Sequence, residues 1–153
     1  VLDVRLHVGV IPRLRKIAEL EYIPLYEEKS HLYCSYHHPL FDIAEQQEVI
    51  SQVPNYDAVA PAYAQTADTK IQYQALKTSS TATDREGVAF LIMTGCFIGY
   101  LPTHYAAQWI QQGKMKAICA SHFHYSTDYA VIHKKNAPTN YLVDAWIKEL
   151  LKI

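Results

Sequence analysis

The chain has 153 residues, half of them hydrophobic and 19% charged, with a formal net charge of −1 from 14 basic and 15 acidic side chains. That composition supplies a packed core for one domain or two small lobes and excludes an intrinsically disordered chain. No long basic run occurs, the densest spots being Arg13 to Lys16 and the pair Lys134 and Lys135, so the electrostatic footprint of a nucleic-acid-binding module is missing.

In chain order, Leu6, Val8, Val10 and Ile11 around Gly9, stopped by Pro12, predict a first strand. The aromatic, alternating stretch that follows predicts a second strand near 29–35, broken at Pro39. A short helix is expected over 42–52. The turn-rich segment 54–68, with Pro54, Asn55 and Pro61, is the expected crossover between two lobes. Alternation of Ile71, Tyr73 and Ala75 predicts a strand over 70–78. Then comes TATDREGVAFLIMTGCFIGYLP, residues 81–102. Thr83 and Glu86 stand in the T-x-x-E spacing of a capping box, the Thr83 hydroxyl accepting from the Glu86 N–H and the Glu86 side chain reaching back. Val88, Ala89, Leu91, Ile92 and Met93 give the helix its apolar face, and Gly95 supplies a C′ residue. The run from Cys96 to Leu101 is apolar throughout, as in a strand buried on both faces. Strand, helix and strand in this order make a βαβ crossover. A helix from Thr103, its expected N-cap, to a stop at Gly113, two further strands and a C-terminal helix with Leu142, Val143, Trp146, Ile147, Leu150 and Leu151 complete the pattern. The fold class is α/β.

Chemistry is expected at strand ends, where open α/β sheets bind ligands. KTSSTATD, residues 77–84, places five hydroxyls ahead of a helix N-terminus, where backbone N–H groups suit a carboxylate, phosphate or polar metabolite. Capping accounts for Thr83, but one cap does not need five hydroxyls. The strand end at 99–104 is the second such place. Eight histidines include His37, His38 and the pair His122 and His124, which on a strand would share a face and could hold zinc. No HExxH or Cys–His zinc pattern accompanies them. Surface and turn positions are the simpler reading. Tyr33, Tyr36 and Tyr100 lie near strand ends, as core packing or as pocket wall. Cys34 and Cys96 sit in apolar runs and read as buried reduced thiols, pointing to the cytoplasm. No nucleophile elbow, acid–base pair or glycine-rich phosphate loop is present, so no catalytic residue, metal or cofactor is assigned.

Taken together, LHVGVIP, then LEYIPLYEE followed by LYCSYHHPLF, and the 81–102 stretch resemble the effector-binding domain of LysR-type transcriptional regulators over essentially the whole chain. The resemblance implies two Rossmann-like lobes of the periplasmic-binding-protein type, the first lobe incomplete at its N-terminus, with residues 1–5 ending the helix before the first strand. It implies a remainder of the first lobe over 1–55, a second lobe over 56–120 and a return to the first over 121–153. It also implies a small-molecule effector held between lobes by Ser80, Thr81, Thr83, Tyr100, Leu101 and Pro102, with Ile11, Pro12 and His38 beside them. DNA would be bound only through a winged helix-turn-helix outside these residues, in a homodimer or homotetramer, with no membrane contact. An incomplete first lobe leaves apolar sheet surface exposed, so the chain is expected to be a piece of a longer polypeptide. The alternatives are a small α/β metal-dependent enzyme using the histidines, and an extracytoplasmic solute-binding protein.

Overall fold

A computed structural model of the chain describes residues 6–14, 16–63, 65–138 and 140–152. The expectation for residues 1–5 lies outside them. The chain divides into two compact units, Lys29–Ser126 and the combination of Val1–Glu28 with Thr127–Ile153. The lobe boundaries expected from sequence fell at 55/56 and 120/121. Two strands, β2 (Leu20–Ser35) and β7 (His124–Lys134), run through the observed divisions. The length of β2 was hidden by Pro24 and by the charged run at Glu27, Glu28 and Lys29.

In the unit Lys29–Ser126, β3 (Asp57–Pro61) lies between β4 (Lys77–Ala82) and β5 (Ile98–Pro102) and pairs with both in parallel. On its other side β5 pairs antiparallel with β2, from Ser30 opposite Pro102 to Tyr33 opposite Gly99. β6 (Met115–Ala117) pairs with the end of β2. Helix α3 (Arg85–Met93) joins β4 to β5 and α4 (Thr103–Gln111) follows β5, so the expected βαβ crossover is present with β3 intercalated. All five residues of β5 are buried.

Strand alternation explains why β5 has to be apolar throughout. Leu32, Cys34, Ala58, Ile98 and Tyr100 enter one core, against Leu40, Ala44, Val49 and Val53 from the irregular stretch after β2. Tyr33, Val59 and Leu101, the residues in between, enter a second core with Val88, Ala89 and Ile92 of α3 and Ala106 of α4. Each fully buried aliphatic side chain here contributes about 1.5–3 kcal/mol of transfer free energy.

Several local expectations change. Residues 70–78 are not one strand: α2 (Ala67–Gln74) runs through the first part, capped by Thr66, whose hydroxyl accepts from the Thr69 N–H at 3.1 Å. Thr69, Gln72 and Tyr73 are its more buried positions, with Leu76 just beyond its end, a helical spacing that the short alternation concealed. The expected helix over 42–52 is a 3-10 turn at Phe41–Ile43 followed by the single turn α1 (Val49–Gln52). The turn-rich segment contains β3. Cys96 is exposed, in the loop between α3 and β5, whereas Cys34 is buried.

In the unit Val1–Glu28 with Thr127–Ile153, β1 (Val8–Pro12) pairs antiparallel with β7, from Val8 opposite His133 to Pro12 opposite Tyr129. Helix α5 (Tyr141–Leu150) is started by Asn140, whose side chain accepts from the Leu142 and Val143 N–H groups. Its apolar residues have the expected spacing, yet none of them is buried, and Tyr141 and Leu142 are each 83% exposed.

Candidate functional site

The carboxyl ends of the parallel strands deliver two helix starts. The first is α3. β4 continues to Ala82, whose carbonyl accepts from the Ala62 N–H at 2.8 Å. The chain therefore turns one residue later than a Thr83 cap requires, and the expected capping box does not form. Asp84 takes the N-cap in extended geometry, its Oδ1 accepting from the Gly87 N–H at 2.7 Å. Its charge also favours the positive end of the helix dipole. Asp84→Ala is expected to cost about 1 kcal/mol of stability, read as a lower thermal midpoint, whereas Asp84→Asn retains most of it.

The second start is α4. Thr103, expected as the cap, is the first helical residue, and the N-cap is Pro102, which offers no side-chain acceptor. Pro102 thus supplies no side-chain cap to the first turn, a position where a ligand oxygen can be received. Arg85, on the first turn of α3, lies 5.8 Å from the centroid of the Tyr105 ring on the first turn of α4. This cation–π contact brings the two starts together and adds positive charge to them. Partial burial, and then nearby Glu86, raise the Tyr105 hydroxyl above its ordinary pKa, so it stays protonated.

The residues singled out from sequence distribute unevenly. Ser80 is opposite Val59 and half-buried, whereas Thr81 is opposite Ala60 and exposed. As successive strand residues they point to opposite faces, so the hydroxyls do not form one cluster. Thr83 is exposed in the bend before Asp84. Tyr100 is 3% exposed within the first core, donates its hydroxyl to Gln72 Oε1 at 3.3 Å, and is held well above the ordinary phenol range by burial. Leu101 is in the second core and Pro102 is buried at the start of α4. Ile11 and Pro12 lie on β1 in the other unit, paired with Ala130 and Tyr129. His38 is buried in the turn after β2. Its Nδ1 accepts from the Leu40 N–H at 3.1 Å and its ring packs edge-on to Tyr56 at 5.0 Å. Among the described residues, no group of three or more His, Cys, Asp or Glu side chains is placed to hold a metal ion. Asp84 as the cap of α3 and Arg85 as a neighbour of α4 were not assigned from sequence, and Thr103 was expected only as an N-cap within the 99–104 strand end. Asp84 was legible as a capping residue type, but the Arg85–Tyr105 contact depends on the fold.

Burial lowers the pKa of His38, and burial followed by the charges of His124 and Lys29 lowers that of His31. The unfolded chain therefore binds the extra protons first as the solution is acidified. The stabilising contribution is complete above about pH 6.5 and is lost as pH falls through that value toward the folded-state pKa values. Denaturant midpoints measured between pH 8 and 5 are expected to decline in this window. His38→Asn, which keeps an acceptor for Leu40, is expected to flatten part of the slope.

The same folding pattern recurs in known proteins. The profile of the LysR substrate binding domain matches residues 1–152. This chain belongs to that family. It is 43% identical over 148 residues to the HTH-type transcriptional activator BauR of Pseudomonas aeruginosa, an alignment covering 97% of this chain and 48% of BauR. The chain thus spans about half the length of that relative. Among solved structures, the regulatory domain of Synechocystis PCC6803 CcmR in complex with 2-PG aligns with TM-score 0.79 at 10% identity, covering 99% of this chain and 74% of that one. The effector-binding domain of QuiR in complex with shikimate aligns with TM-score 0.75 at 11% identity, covering 99% and 73%. The LysR domain fold, mixed α/β and periplasmic-binding-protein-like, is accordingly the fold of this chain. No helix among the described residues is long and apolar enough to cross a membrane.

Proposed function

We propose that this LysR domain senses a small polar or anionic metabolite and passes that signal to a DNA-binding segment outside these 153 residues. The observation that carries the reading is the pair of helix starts at the ends of β4 and β5, one capped by the Asp84 carboxylate and the other led by Pro102, which has no side-chain acceptor. An anion is disfavoured at α3, where a carboxylate already stands, and favoured at α4, with Arg85 nearby. Thr103 then donates from its backbone and hydroxyl, while Thr81 at the end of β4 and Thr83 in the bend after it add polar contacts, Ser80 standing on the opposite face of β4 from Thr81. Tyr100, Leu101 and Pro102 set the position of α4 from behind. CcmR and QuiR, solved in complex with 2-PG and shikimate, support a small-molecule effector for a domain of this fold. The full-length regulator works in the cytoplasm as a homodimer or homotetramer, with the remainder of the first lobe and the second lobe built by this chain.

The test is calorimetric titration of the full-length protein with a panel of small hydroxy acids and amino acids, followed by Thr103→Pro. Proline is tolerated at the first helical position but removes that N–H. Loss of a hydrogen bond to a charged group should weaken binding about tenfold or more. Unchanged affinity in Thr103→Pro would remove α4 from the site, and an unchanged affinity in Thr81→Ala would remove the strand end.

A further inference from the structure

The chain passes between its compact units twice, along β2 at 28/29 and along β7 at 126/127. Close to these points each strand is held by tyrosines. Within Lys29–Ser126, Tyr125 of β7 lies against Tyr100 of β5 with ring centroids 5.1 Å apart, and against Tyr73 of α2 at 6.4 Å. Tyr73 and Tyr100 meet edge-on at 5.3 Å. Hydrogen bonds pin the rings: Tyr73 shares one with Tyr125, and Tyr100 donates to Gln72. Within the other unit, Tyr26 of β2 stacks on Tyr129 of β7 with centroids 4.9 Å apart and planes 7° from parallel. The Tyr129 hydroxyl donates to Oε1 of Glu28, a carboxylate that is only 7% exposed, at 3.4 Å. Between the two clusters stand Lys29 and Ser30 on β2 and Ser126, Thr127 and Asp128 on β7, side chains without a ring to stack.

We propose that the two tyrosine clusters are clamps that confine bending of the crossing strands to these few residues, and that Tyr125 is the positioning residue fastening β7 to β5. Stacked and edge-on rings resist sliding of the elements that carry them, and between them Ser30 is buried and paired with Pro102, so bending falls to the exposed Lys29 on β2 and to 126–128 on β7. Tyr100 stands two residues ahead of Pro102, so a displacement at the start of α4 reaches β7 through the Tyr100–Tyr125 contact. That use in signalling rests on the effector reading, but the clamps themselves do not.

Hydrogen exchange of the full-length protein, without any ligand, tests them. Tyr125→Leu should speed exchange of amides 124–126, and of Leu32, whose N–H is bonded to the Phe123 carbonyl, about tenfold. The amides of α3 should keep their wild-type rates. Tyr125→Phe, which retains the ring and loses the hydroxyl, should give a smaller change at the same amides and guards against a leucine variant that fails to fold. Tyr26→Leu should loosen 20–28 and 129–133 and leave 31–35 untouched. Equal acceleration on both sides of 28/29 in either variant, or acceleration spread through α3, would overturn the clamps, as would unchanged exchange in all three.

Discussion

Gly99→Ala is expected to lower the unfolding free energy by about 1–3 kcal/mol, seen as a lower urea midpoint with an unchanged slope. Gly99 is the residue of β5 over which α3 packs. A Cβ built there would lie 2.7 Å from Val59 Cγ1 and 3.1 Å from Ile92 Cδ1. Both neighbours are fully buried, so neither can retreat into solvent. The added methyl has to push α3 outward or open the β3–β5 pairing. Combining Gly99→Ala with Val59→Ala removes the nearer obstacle, and the double variant should lose less stability than the sum of the two single losses. Strict additivity would mean that the strain is relieved elsewhere, and the proposed contact would be wrong.

Gly95→Ala is expected to cost about 2 kcal/mol for two separate reasons. The residue ends α3 at φ +80°, where an L side chain costs about 1–2 kcal/mol. Its Cβ would also approach His37 Cβ to 2.7 Å and the His37 carbonyl carbon to 3.2 Å. Replacing His37 with glycine should recover only the second contribution, which separates backbone conformation from contact. A midpoint equal to wild type in Gly95→Ala would contradict both.

These two glycines mark what the sequence does and does not disclose. Gly95 was legible because a glycine after an apolar helical run is required by backbone geometry alone, which is local. Gly99 is read only as a gap in an apolar strand until α3 is placed upon it. The same division runs through the fold. β5 announced itself because burial on both faces demands an unbroken apolar run. α2 did not, because Ile71, Tyr73 and Ala75 fit a period of two as well as the helix fits 69, 72, 73 and 76. At the candidate site, the existence of a capped helix after 82 was legible. Whether Thr83 or Asp84 caps it depended on where β4 ends, and that is settled by the pairing of Ala82 with Pro61 of β3 and by the Ala62 N–H that it receives. The meeting of Arg85 with Tyr105 lies beyond any local pattern, since two helices must first be packed side by side.

The cysteines have a practical consequence. Burial pushes the Cys34 thiol up to about 12, and Cys119 is also buried, whereas Cys96 is exposed between α3 and β5. A thiol-directed dye should therefore react at one address in the folded chain, adjacent to the strand that leads to α4. Within these 153 residues fluorophore attachment needs no engineered cysteine, and the domain can be followed optically while candidate metabolites are added.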